Sequence, residues 1–294
     1  MRKYIQYCLI FLITIFFILS CKKENKDFAK ETITTNLPTN GFLTVEPDSE
    51  ISISFKVEND EQIKSIKIER IVNSSSLLLI DSSFSLVLEV NYILKTKAKI
   101  EEGIEKYIFS YTDKENNSYS KEISVNVISR IFTYKTRLFA SDSGEFAIKN
   151  CLNLYSESQY TIQQADANTT LIDMVYKLDY DTVIGSPRSN EIRGYFKHPA
   201  FGIQTWANRN NTLFKKVLAF NSSDFEKIYS EKALKELDLN SSGNYIKINN
   251  YNQLIAFKTV NSKFGIIRVD AISNNTLAQK RDKFIDLTIK IQKY

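Results

Sequence analysis

The sequence predicts a mostly β chain: a β-sandwich over residues 42–129, then an α+β domain over residues 130–294 built from an antiparallel sheet and one main helix. Three observations carry this. Apolar and polar residues alternate with period two in both halves, turn-forming residues punctuate the runs, and helical periodicity appears only in the second half. Composition agrees, since 43% hydrophobic and 25% charged residues are ordinary for a globular chain. Eight Gly and four Pro in 294 residues exclude collagen-like and Pro-rich low-complexity chains.

Ahead of the first strand, the chain begins Met1-Arg2-Lys3, runs through an apolar stretch at 8–19 (CLIFLITIFFIL) and reaches Ser20-Cys21-Lys22-Lys23. A basic start, a short apolar stretch and a small residue before the cleavage point make a secretory signal over residues 1–20. At 1.5 Å per residue the stretch covers about 18 Å, well short of the ~30 Å that a spanning helix needs. Ile18-Leu19-Ser20-Cys21 resembles a bacterial lipobox. The resemblance implies cleavage before Cys21, which would then carry thioether-linked diacylglycerol and an amide-linked third chain. At about 0.8 kcal/mol per buried CH₂, two or three acyl chains hold a protein on a membrane where one does not.

Residues 21–41 are polar and charged with Pro38, and read as a flexible tether. Lys22, Lys23, Glu24 and Asp27 resemble the export tags of Bacteroidota surface lipoproteins. That likeness implies an outer-membrane protein facing outward, with the periplasmic face as the alternative.

In residues 42–129, Ile51, Ile53, Phe55 and Val57 alternate with polar residues, and Ile66 and Ile68 follow. Tyr107, Phe109 and Tyr111, then Ile123, Val125 and Val127, close the block, with DKENNS at 113–118 as the turn between them. About seven short strands fit this length as a sandwich. The closing hairpin resembles the last hairpin of immunoglobulin-like modules in bacterial surface lipoproteins. Asp113, Glu115 and Asn116 lack the ligand periodicity of a calcium loop and read as turn formers.

In residues 130–294, Ser223-Asp224-Phe225-Glu226 reads as a capping box that opens a helix to Asp238, with Phe225, Ile228, Tyr229, Leu234 and Leu237 on one face. A helical turn is expected around 162–168. Strands are expected at 172–176, 254–259, 264–272 and 284–290. The segments SDSGEF (141–146), Trp206-x-x-Arg209-Asn210-x-Thr212-x-Phe214, Ile255–Thr259 as IAFKT and 263–269 as KFGIIRV resemble the C-terminal module of many Bacteroidota lipoproteins. This likeness implies module order and location and brings no activity with it.

The functional signal lies in residues 185–214, which hold the single Trp, the single His and two of the four Pro. Loops that gather such residues commonly bind. The candidate ligand-binding residues are Tyr195 and Trp206 as stacking rings, with Arg188, Arg193, Arg209 and Asn210 as donors. The alternative is that Trp206 and Phe214 pin a long loop to the core while Arg209 and Asn210 bond its backbone.

Catalytic signatures are missing. One His excludes His-Glu-x-x-His and leaves a triad a single candidate base, and no Gly-x-Ser-x-Gly, P-loop or Gly-x-Gly-x-x-Gly occurs. Paired carboxylates leave no sequence mark; Asp179 and Asp181 read as solvent-side residues. After loss of Cys8 and lipidation of Cys21, Cys151 is the one remaining thiol, and an inert buried one is expected. No cofactor and no metal is expected.

The net charge of +5 falls to +3 once Arg2 and Lys3 leave with the signal, and no run of five like charges occurs. That argues against nucleic acid. The expectation is a lipid-anchored, non-catalytic binding or interaction protein of the outer membrane, its ligand a glycan, a peptide or a partner envelope protein. The alternatives are an envelope hydrolase acting on glycans through carboxylates, or a structural scaffold subunit.

Overall fold

The structure is a computed structural model that describes residues 32–37, 42–140, 146–273 and 283–293. The signal at 1–20, the lipid site at Cys21, part of the tether and most of the SDSGEF turn lie outside the described residues. The described chain is mostly β, with few and short helices. It divides into two compact units. One comprises residues up to Leu43, Ser52–Lys95 and Glu105–Ser124; the other comprises Thr44–Ile51, Thr96–Ile104 and Val125–Tyr294.

The first unit takes most of the residues of β1 (Thr32–Thr35), β2 (Phe42–Val45), β3 (Glu50–Val72), β4 (Ser75–Lys97), β5 (Gly103–Asp113) and β6 (Ser118–Val127). They form one sheet in the order β1-β3-β5-β6-β2, with β4 also beside β3. Two strands of 23 residues replace several of the short ones expected. A two-residue turn joins them: Asn73 and Ser74 both take positive φ (49° and 66°), the backbone that suits a tight hairpin.

A register shift between Ile63 and Ser65 in β3 changes the parity of its buried positions. Ile51, Ile53, Phe55 and Val57 are buried before it, and Ile66 and Ile68 after it. β1 pairs with the first half of β3 and β5 with the second. Phe55 nonetheless stacks on Phe109 of β5 at 4.5 Å, so the sheet curls over and encloses its own core. Thr32–Thr35, within the segment read as tether, are an edge strand of this sheet. Asp113 closes the β5–β6 turn by accepting from the backbone N–H of Glu115 and of Asn117, both at 2.9 Å.

The second unit packs two antiparallel sheets face to face. Its elements are β7 (Ile131–Phe139), β8 (Lys149–Leu152), β9 (Gln159–Thr161), α1 (Ile162–Asp166), β10 (Met174–Leu178), β11 (Thr182–Gly185), α2 (Asn190–Arg193), β12 (Leu213–Val217), α3 (Ser222–Glu226), α4 (Glu231–Lys235), β13 (Tyr245–Lys247), β14 (Leu254–Lys258), β15 (Phe264–Ser273) and β16 (Phe284–Gln292). One sheet runs β12-β14-β15-β16-β7, the other β13-β11-β10-β8-β9.

The central core lies between them. Ile255, Phe257, Ile267, Ile285, Leu287 and Ile289 from one sheet meet Leu152, Met174, Tyr176 and Ile184 from the other. Both outer faces are covered as well. Helices α3 and α4 bring Phe225 and Leu234 onto Leu254, Ala256 and Ile266. On the far side, α1, α2 and the 194–206 loop bring Ile162, Ile192, Phe196, Ile203 and Trp206 onto Cys151, Val175 and Val183. Four stacked layers result, which is why these strands read as apolar on both faces.

The expected helix over 223–238 is two short helices. The capping box sits two residues earlier: Asn221 Oδ1 accepts from Ser223 and Asp224 N–H, and Asp224 Oδ2 accepts from Asn221 N–H. Ser230 caps α4 by accepting from Ala233 N–H. The break between the helices has a partner. The buried Lys290 ammonium donates to the carbonyls of Phe225, Glu226 and Ile228 at 2.9, 3.1 and 3.0 Å, so carbonyls released at the end of α3 stay satisfied.

Candidate functional site

The strand β11 delivers the chain to Gly185 and Ser186, where three segments meet. Ser186 is fully buried. Its N–H donates to Asn244 O at 2.8 Å, and its hydroxyl donates to Asn210 O at 2.5 Å while accepting from Arg188 N–H at 3.0 Å. One residue therefore ties together the 188–193 segment, the 207–210 loop and the chain entering β13. Gly185 permits the approach. A Cβ there would lie 2.8 Å from Ile192 Cγ1 and 2.9 Å from Tyr245 Cβ, closer than side-chain carbons pack.

These three segments border an open cavity of about 840 Å³, lined by Arg188, Ser189, Asn190, Glu191, Arg193, Ala207, Asn208, Arg209, Asn244 and Tyr245. Its volume is within the range of ligand pockets, but its walls are polar where such pockets are mainly apolar. Three guanidinium groups face one carboxylate. That carboxylate, Glu191, is already paired with Lys177 Nζ at 2.5 Å. Among the described residues no carboxylate pairs with Arg188, Arg193 or Arg209.

Each arginine is placed by its backbone context. Arg193, on α2, donates through Nη2 to Asn190 Oδ1, and its Nε is buried without an acceptor. Arg209 Nη1 donates to Ile203 O and Gln204 O at 3.3 and 3.1 Å. Arg188 is exposed, anchored through its N–H on Ser186. Tyr245 stands at 43% exposure on the edge strand β13.

Of the six candidate residues, the structure brings Arg188, Arg193 and Arg209 together in the cavity and places the other three elsewhere. Trp206 is corrected from a stacking ring to an anchor. It is 2% exposed in the layer over β8, β10 and β11, and its Nε1 donates to Phe201 O at 3.3 Å. The geometry of this long loop needed one large ring to hold it down. Asn210 is likewise a structural donor, reaching Thr170 O and Asp173 Oδ1 at 2.9 and 3.1 Å. Tyr195 is half-buried, its hydroxyl donates to Leu178 O at 3.1 Å, and Lys177 Nζ lies 5.0 Å from its ring centre.

The cavity residues that sequence reasoning passed over are Asn190, Asn208, Asn244, Tyr245 and Glu191. Asn244 and Tyr245 lie more than 30 residues beyond Arg209, and the pairing of β13 with β11, which sets Tyr245 opposite Gly185, brings them in together with the Ser186–Asn244 bond. The turn composition of Ser241-Ser242-Gly243-Asn244 just ahead of Tyr245 was the available hint.

Elsewhere, Asp181 pairs with Lys247 Nζ at 2.6 Å and Asp179 is exposed, so neither belongs to this cavity. His198 stacks on Phe201 at 3.6 Å and its Nδ1 accepts from Ala200 N–H. Cys151 is fully buried, which pushes its thiol pKa up and away from thiolate chemistry. Burial also pushes Asp173 up to about 6, against the opposing hydrogen bonds from Leu154 N–H and Asn210. Among the described residues no cluster of three His, Cys, Asp or Glu is placed to hold a metal ion.

No protein-family model matches the chain, and no curated protein matches it in sequence. Among solved structures, it is similar to a DUF4466 family protein from Parabacteroides merdae ATCC 43184, at 12% identity and a TM-score of 0.45, over 90% of this chain and 99% of that one. A Niemann-Pick type C2 protein from the Japanese carpenter ant is similar at 8% identity and a TM-score of 0.24, over 33% of this chain and 89% of that one. Both likenesses are weak.

Proposed function

We propose that this is a lipid-anchored envelope protein whose second unit is a non-catalytic binding module for a negatively charged ligand. The observation that carries the reading is the convergence of Arg188, Arg193 and Arg209, none paired with a carboxylate among the described residues, on one polar cavity. Guanidinium groups present planar donor forks that suit carboxylate, sulfate and phosphate oxygens. Catalysis on glycans finds less support here. A glycosidase uses two carboxyl groups about 5 to 10 Å apart, and this cavity has one, held by a lysine.

The anchor is read from the lipobox at Cys21 and the signal before it, and the outward-facing outer-membrane location from the likeness of Lys22, Lys23, Glu24 and Asp27 to surface-export tags. Two experiments test the reading. The full chain should bind members of a polyanion panel spanning phosphate, sulfate and carboxylate, more weakly as salt rises. A variant carrying Arg188→Gln, Arg193→Gln and Arg209→Gln should lose that binding while staying folded, with a small fall in melting temperature from loss of the Arg209 bonds to Ile203 O and Gln204 O. Equal binding by both proteins would remove the cavity from consideration. Separately, Cys21→Ser should abolish acyl labelling in the native host, and undiminished labelling would end the anchor assignment.

A further inference from the structure

We infer that the ligand of the arginine-lined cavity is an acidic oligosaccharide, with its negative groups carried on hydroxyl-rich rings. The inference rests on the anion-binding reading above and names its chemical class. Volume is the first argument. About 840 Å³ is far more than one sulfate, phosphate or small dicarboxylate fills, and is near the upper end for a bound molecule of several rings.

The hydrogen-bonding character of the walls is the second argument. The arginines only donate, Glu191 only accepts, and the amides of Asn190, Asn208 and Asn244 do both. A ligand matching that lining must accept strongly at some positions and donate at others. Sugar hydroxyls do both, and a ring carboxylate or sulfate supplies the anion. A fully ionised polyphosphate has no donors for the amide oxygens or for Glu191.

Third, the lining is mainly polar, and its apolar part is spread thinly with no deep apolar recess among the residues that form it. Ala207 is small, and Tyr245, exposed on its edge strand, offers one ring face. That suits the apolar face of a pyranose and gives a peptide no pockets for its side chains.

Calorimetric titration of the purified full chain in a neutral detergent tests this with four probes: trigalacturonate, a chondroitin sulfate tetrasaccharide, neutral tri-N-acetylchitotriose and inorganic tripolyphosphate. At least one of the two acidic saccharides should bind, and the two together tell a carboxylate from a sulfate requirement. The chitotriose should bind at least about tenfold more weakly, as expected for loss of a charge-assisted contact. Tyr245→Ala should weaken the saccharide and leave any tripolyphosphate binding unchanged. If tripolyphosphate binds as tightly as both acidic saccharides and Tyr245→Ala alters neither, the saccharide inference is overturned while the anion cavity stands. If none of the three anions binds, the cavity reading itself falls.

Discussion

Ser186→Ala removes a single oxygen from the point where the cavity segments meet, and its effect can be worked from the bonds lost. The hydroxyl is fully buried, donates to Asn210 O at 2.5 Å and accepts from Arg188 N–H at 3.0 Å. The Asn210 carbonyl sits inside and is left without that donor, at a cost of about 1–3 kcal/mol. The Arg188 N–H is only partly buried and regains water, adding little. The expected loss is therefore about 2 kcal/mol, which lowers a urea midpoint by about 1 M at an m-value near 2 kcal/mol/M. Ser156→Ala, at an exposed hydroxyl bonded only to Ser158 and the local turn, should stay within about 0.5 kcal/mol and serves as control. Because the Ser186 N–H still reaches Asn244, the Tyr245 wall keeps its place. Polyanion binding should thus weaken through Arg188 and Arg209 specifically. An unchanged midpoint together with unchanged binding would refute the claim that Ser186 holds these segments in register.

Three further outcomes are expected. Asp173 is raised from 3.8 to about 6 in the folded chain by burial, so the folded state holds a proton that the unfolded chain has released between those values. Stability from this group therefore falls as pH rises from about 4 to 6, by about 3 kcal/mol in total, and Asp173→Asn should remove that component from a pH series of urea midpoints. Gly185→Ala drives a methyl into Ile192 and Tyr245, so it should cost about 1–3 kcal/mol in denaturation and weaken polyanion binding as both walls shift. Trp206→Ala should cost about 3–5 kcal/mol by emptying the layer beneath the loop, whereas Trp206→Phe should recover most of it; equal melting temperatures for all three proteins would contradict the burial of that ring.

The mostly β character was legible because alternation at Ile51–Val57 and Ile285–Ile291 is a direct imprint of one buried face per strand. Strand length was not. The charged Glu58-Asn59-Asp60-Glu61 stretch has turn composition, yet the backbone stays extended through it. The break in the helix expected over 223–238 was not legible because the apolar spacing is the same whether or not the chain breaks. The break depends on Lys290, more than 60 residues away. In the site, the rarity of Arg-bearing loops pointed to Arg188, Arg193 and Arg209. Trp206 drew attention for the same rarity, but composition does not distinguish an aromatic ring that faces solvent from one that holds a loop down.

The cavity walls contain no residue of the central core between the two sheets, and they hang from the loop layer on an outer face. The proposed recognition surface thus lies outside the side chains that fill the central core. If the cavity binds as proposed, exchanging Arg188, Asn208 or Tyr245 would change what is bound at little risk to the central core, which would make this surface a practical one to retarget by engineering.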